Sequence, residues 1–143
     1  MTVDPQRVVL VVEDNPSERD AVQRILQSNN FHVETATDYH SAVKFMATSV
    51  PNLICLDLTL PRESGFEVCE HMQKDMRLRF VPILVMSDRA SPEDMAQAEQ
   101  VGANAFLKKP FTAAKLLKYV NTLLDGPHAS RPSVRRLRRS DPP

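Results

Sequence analysis

Five side chains in this sequence are of the right type and position to do chemistry together. Glu13 and Asp14 follow the apolar run Val8 to Val12, Asp57 interrupts the apolar run NLICLDLTLP, Ser87 follows ILVM, and Lys109 precedes Pro110. A carboxylate inside an apolar run is costly, because a single ion at low dielectric loses several kcal/mol even after relaxation. Asp57 therefore belongs at a strand end, facing water, a cation or a covalent partner. Three carboxylates gathered there repel, each pair at about 4 Å costing roughly 4 kcal/mol at an effective dielectric of about 20. A divalent cation relieves that repulsion. Oxygen-only ligands, without histidine or thiolate, favour Mg²⁺ or Mn²⁺ with water completing an octahedron at about 2.1 Å. Lys109 then adds a positive charge and Ser87 a hydroxyl donor, which together suit a phosphoryl group on Asp57.

The elements that must position these residues are legible as short apolar runs, Val8 to Val12, Phe31 to Ala36, Leu53 to Leu58, Val81 to Met86 and Ala105 to Leu107. Each is followed by a longer segment with apolar residues three and four apart, as in Val22, Ile25 and Leu26 or Leu116, Leu117, Val120, Leu123 and Leu124. Continuous apolar strands alternating with helices imply an α/β fold, a flavodoxin-like doubly wound five-stranded parallel sheet flanked by five helices. In the order 2-1-3-4-5, strands one and three lie side by side, and the crevice at the carboxyl ends gathers Glu13, Asp14, Asp57, Ser87 and Lys109. Helix starts are signed by Asn15-Pro16 with Glu18, Ser64-Gly65 with Glu67, and Ser91-Pro92 with Asp94. Capping by Asn15 and Ser91 leaves Glu13, Asp14 and Ser87 free for another duty.

The chain has 143 residues and 42% hydrophobic content, enough for one domain with its own core. Eighteen basic and eighteen acidic residues cancel overall, but five arginines against Asp141 alone fall in 126–143. Residues 1–125 thus carry thirteen basic and seventeen acidic residues, a net of −4. The sequence predicts a folded unit over 1–125 and a basic, Pro/Arg-rich flexible tail or linker over 126–143. Its arginines could attract polyanions weakly through phosphate charge, and nucleic acid is otherwise not expected as a partner. Cys55 and Cys69 read as small buried hydrophobes in a reducing compartment. Neither a signal-peptide pattern nor an apolar stretch of the roughly 20 residues that span a bilayer is present, so the expected location is cytoplasmic. The four histidines share no metal spacing.

These motifs, in order and spacing, resemble the receiver domain of two-component response regulators over residues 7 to 125. The resemblance rests on VVEDN with Glu13 and Asp14, LDLTLP with Asp57 and Pro61, Gly65 beyond it, VMSD with Ser87, and FLKKP with Lys109. It implies that Asp57 accepts a phosphoryl group from a sensor histidine kinase or phosphotransfer protein, the chain catalysing only its own Mg²⁺-dependent phosphorylation and dephosphorylation. Glu13, Asp14, Asp57 and the backbone carbonyl of Thr59 would hold Mg²⁺, and Lys109 and Ser87 would grip the phosphoryl oxygens. Ser87 moving toward them would let Phe106 turn inward, changing the face of the fourth helix, fifth strand and fifth helix that meets a downstream protein target. The expected protein is a stand-alone switch of the chemotaxis type, acting by protein binding.

Two positions depart from the family. Asp88 stands where receivers place a small residue after the hydroxyl, so slower labelling by small phosphodonors is expected, with Asp88→Ala faster than the parent. Thr59 and Arg89 lie where the family lines the route of attacking water and should tune phosphate lifetime. Three rivals remain in view: the receiver fragment of a DNA-binding or enzymatic regulator, a phosphate-independent pseudo-receiver, and a haloacid-dehalogenase-type phosphohydrolase. The last needs a second acid two residues after the nucleophile, and Thr59 stands there.

Overall fold

The computed structural model describes residues 6–60 and 64–125. Five strands alternate with five helices: β1 (Val8–Val12), α1 (Pro16–Gln27), β2 (His32–Ala36), α2 (Tyr39–Thr48), β3 (Leu53–Asp57), α3 (Ser64–Lys74), β4 (Ile83–Ser87), α4 (Pro92–Gln100), β5 (Ala105–Lys108) and α5 (Ala113–Asp125). The sheet is parallel throughout, ordered β2-β1-β3-β4-β5, the flavodoxin-like arrangement expected from the sequence.

Alternation along the strands divides the core in two. Leu10, Val12, Ile54, Leu56, Ile83, Val85 and Phe106 pack on one face with α2, α3 and α4. Val9, Val11, Leu53, Cys55, Leu84, Met86, Ala105 and Leu107 pack on the other with α1 and α5. Because helices cover both faces, the central strands β3 and β4 are buried at every residue, whereas the edge strand β2 buries only Val33 and Ala36.

Strand limits differ from the sequence expectation by one or two residues, for local reasons. Phe31 N–H is taken by Leu26 C=O as α1 ends, so β2 begins at His32. Val81 N–H is taken by Leu78 C=O and Pro82 has no N–H, so β4 begins at Ile83 and runs through Ser87. β3 stops at Asp57, one residue before the expected Leu58.

Asn15 and Ser91 cap α1 and α4, accepting from Glu18 N–H at 3.0 Å and Asp94 N–H at 3.1 Å. α2 starts on an unexpected capping box, in which Asp38 Oδ1 accepts from Ser41 N–H and Ser41 Oγ from Asp38 N–H. Both cysteines are buried and unpaired, and burial pushes each thiol up to about 12. Among the described residues no helix is long and apolar enough to cross a membrane. The tail 126–143, Pro61 and the expected cap side chain of Ser64 lie outside the described residues.

Candidate functional site

Register brings the chemistry together. Val12 pairs with Leu56, Asp57 with Met86, and Ser87 with Lys108, so Glu13, Asp57, Ser87 and Lys109 reach one edge of the sheet at neighbouring carboxyl ends. Glu13 N–H donates to Ala36 C=O at 2.9 Å, and Lys109 N–H to Ser87 C=O at 2.8 Å, which anchors the first and last of these residues to adjoining strands. The Lys109–Pro110 peptide is cis. Gly65, at the start of α3, comes so close behind the phosphoacceptor candidate that an added Cβ would stand 2.7 Å from Leu58 O and 2.9 Å from Asp57 O.

Asp57 is 3% exposed, Glu13 1% and Ser87 fully buried, while Asp14 is open to solvent. Asp57 Oδ1 accepts from Thr59 N–H at 2.9 Å and from Thr59 Oγ1 at 2.8 Å; its Oδ2 faces Lys109 Nζ at 3.4 Å. Lys109 Nζ also donates to Glu13 Oε1 at 2.8 Å and to Glu18 Oε1. Ser87 Oγ accepts from Arg89 N–H at 3.0 Å.

Burial is the largest influence on Glu13 and raises its pKa to about 7; its hydrogen bond to Asp57 adds to the rise and outweighs the opposing Lys109 charge. Burial also pushes Asp57 upward, but the hydrogen bond from Glu13, both Thr59 donors and Lys109 hold it below the usual carboxylate range. Burial opposes the charge on Lys109 as well, and its hydrogen bonds to Glu13 and Glu18 override that and raise its pKa. A proton taken up by this acid pair as pH falls toward 7 therefore goes to Glu13 rather than to Asp57, while Lys109 stays cationic.

One carboxylate oxygen each from Glu13, Asp14 and Asp57 lies within 4.8 Å of the other two. Octahedral ligands at about 2.1 Å stand about 3.0 Å apart when adjacent and about 4.2 Å when opposite, so these acids would have to draw closer together to hold a small cation. The donor set is hard oxygen only, which fits Mg²⁺ or Mn²⁺. Thr59 reaches the site through its amide and hydroxyl.

Beside the acids runs a groove of about 440 Å³ between α1 and the segment after β5, lined by Glu13, Glu18, Val22, Asp88, Lys109 and Phe111 among others. Asp88 is exposed at its rim. The Arg89 guanidinium turns away to Asp94 on α4 at 3.1 Å. Phe106 is already buried, in the core layer that Met95 and Ala90 flank. Glu18 is the site residue that sequence reasoning missed. Its spacing from Asn15 marked it only as a capping acid, and its contact with Lys109 spans 91 positions, for which no local pattern exists.

A family model described as the response regulator receiver domain matches residues 9–121. The phosphate regulon transcriptional regulatory protein PhoB of Escherichia coli is 32% identical over 118 residues, 82% of this chain and 52% of that protein. The chain thus spans about half the length of the curated relatives it matches. Among solved structures, the chemotaxis response regulator CheY4 of Vibrio cholerae superposes with a TM-score of 0.79 at 32% identity, covering 84% of this chain and 100% of that one. The receiver domain of sensor histidine kinase PA1611 from Pseudomonas aeruginosa PAO1, solved with a magnesium ion coordinated in its active site cleft, gives 0.79 at 26% identity over 85% of this chain and 100% of that one.

Proposed function

Because the chain belongs to the response regulator receiver domains of two-component systems, we propose that it is a phosphorylation-controlled switch whose acceptor is Asp57. The observation that carries this reading is the meeting of Glu13, Asp14 and Asp57 within 4.8 Å, with Lys109 shared between Glu13 and Asp57. An Asp57 carboxylate oxygen attacks phosphorus of a phosphohistidine. A P–O bond forms as the donor's P–N bond breaks, and the imidazole leaves with the electron pair. Glu13, Asp14, Asp57 and the Thr59 carbonyl would hold Mg²⁺, which when bound neutralises the charge of the phosphoryl oxygens. Lys109 supplies the fixed cation for those oxygens, and Ser87 the hydroxyl.

The acyl phosphate carries close to two negative charges beside Ser87, about one more than the carboxylate it replaces. Since Phe106 is already buried, its part in the switch is a repacking against α4 rather than a gain of burial. The α4–β5–α5 face is where a protein target would read it. Coupling of about 1–3 kcal/mol would alter that target's affinity roughly 5- to 150-fold. The donor is a sensor histidine kinase or phosphotransfer protein, the location cytoplasmic, the receiver residues 1–125, and 126–143 an appended basic tail or linker. The chain's chemistry is confined to its own phosphorylation and dephosphorylation.

Intact-mass spectrometry with Mg²⁺ and acetyl phosphate or a cognate kinase tests the assignment. Wild type should gain one phosphoryl group and Asp57→Asn none; labelling of both, or of neither, would refute it. A second reading, a receiver that is part of a DNA-binding regulator, is favoured by the likeness to PhoB at about half its length. Reading the gene past residue 143 decides between them.

A further inference from the structure

Glu18 occupies the third position of α1, where Asn15 already caps its amide. A capping-box carboxylate would return to the Asn15 amide, but that amide donates to Glu13 Oε2 at 3.3 Å instead. The Glu18 side chain, 45% exposed, crosses the groove to Lys109 Nζ. Lys109 is therefore shared among three acids, with three N–H donors to give. The acid it meets at the longest distance, 3.4 Å, is Asp57.

Resting on the phosphoacceptor reading above, we propose that Glu18 is a positioning residue that draws Lys109 toward α1 and so competes with the incoming phosphoryl group for the lysine's charge. For Lys109 to grip an acyl phosphate on Asp57, its hold on Glu18 has to loosen. Glu18 is partly open to solvent, so the competition is modest and weakened by salt. Asp88 lines the same groove but forms no ion pair with Lys109 among the described residues, which leaves Glu18 as the competitor on the solvent side.

The test uses the full chain and two readouts. With Mg²⁺ and acetyl phosphate at low ionic strength, Glu18→Gln should be labelled about two- to fivefold faster than wild type. The gap should narrow at about 1 M salt, where the Debye length is roughly 3 Å. Glu18→Asp, too short to reach across the groove, should behave as Glu18→Gln. Asp20→Asn removes the same charge from an exposed position of α1 and should leave the rate unchanged. Without metal or phosphodonor, reductive methylation of Lys109, measured against exposed Lys115, should quicken in Glu18→Gln. Equal labelling and equal Lys109 reactivity in Glu18→Gln and wild type would overturn the proposal, as would acceleration by Asp20→Asn to the same degree. No labelling of wild type, with Lys109 reactivity still responding to Glu18→Gln, would instead refute the phosphoacceptor reading on which it rests.

Discussion

At the amino ends of the strands, Asn52 Oδ1 accepts from Val8 N–H and Asn104 Oδ1 from Ile83 N–H, each at 2.7 Å, and an exposed Arg7–Asp125 pair closes the surface at 2.8 Å. At the carboxyl ends, Glu13, Asp57, Ser87 and Lys109 are buried or nearly so, and a single lysine faces Glu13, Glu18 and Asp57. Neutral amides that complete a ladder one bond at a time serve only the fold. Charges crowded with too few counter-ions oppose it, an arrangement that clusters at functional sites. One sheet thus has an end completed by neutral amides and an end crowded with charge, and the contrast can be tested residue by residue.

The largest difference is expected at Lys109. Lys109→Ala should lower the rate of phosphoryl labelling by about 10²- to 10³-fold while far-UV circular dichroism shows a folded protein; a labelling rate within threefold of wild type would erase the distinction between the two ends. Next is Asn104→Ala, which orphans the Ile83 amide and should cost about 1–3 kcal/mol in urea denaturation. The labelling rate per folded molecule should not change, since Asn104 lies at the other end of β4 from Ser87.

Smaller is the pH response of the metal-free protein. Glu13 has a folded pKa of about 7 against an ordinary 4.5, so the folded state binds the extra proton between those values and stability falls as pH rises across that window. In chelator, the melting temperature should be lower at pH 7.5 than at pH 5.5, and Glu13→Gln should flatten the slope. The lowered carboxyls of Asp38, Asp75 and Asp94 act in the opposite sense, below their ordinary 3.8, and leave this window clear. The smallest effect is at the exposed pair: Arg7→Ala should change stability by no more than about 0.5 kcal/mol, and a cost several times larger would show that the amino end also relies on charge.

Much of the site was legible because it depends on where strands end. Glu13, Asp57 and Ser87 each stand at or just past an apolar run, and a parallel sheet brings such positions to one edge. The alternation of β3 and β4 with helices was legible for the same reason, continuous burial leaving a continuous apolar signature. Less visible were the Asp38–Ser41 box, which lacks the acid at the third position that marks the other starts, and the Thr59 hydroxyl on Asp57. Gly65 was recognisable as a motif glycine, but the reason for it, backbone of Leu58 and Asp57 within 3 Å of where a Cβ would stand, belongs to packing.

Residue order by itself determined the parallel α/β fold, the two buried layers and the set of acids at the strand ends, because periodicity and burial act over neighbouring positions. Only the tertiary structure decided how the charges are shared: that Lys109 meets Glu18 and Glu13 more closely than Asp57, and that burial raises the Glu13 carboxyl while its partners hold Asp57 low. Those outcomes depend on distance and desolvation between groups up to 96 positions apart, and Coulomb energies at such contacts follow from the fold's geometry rather than from any local pattern in the chain.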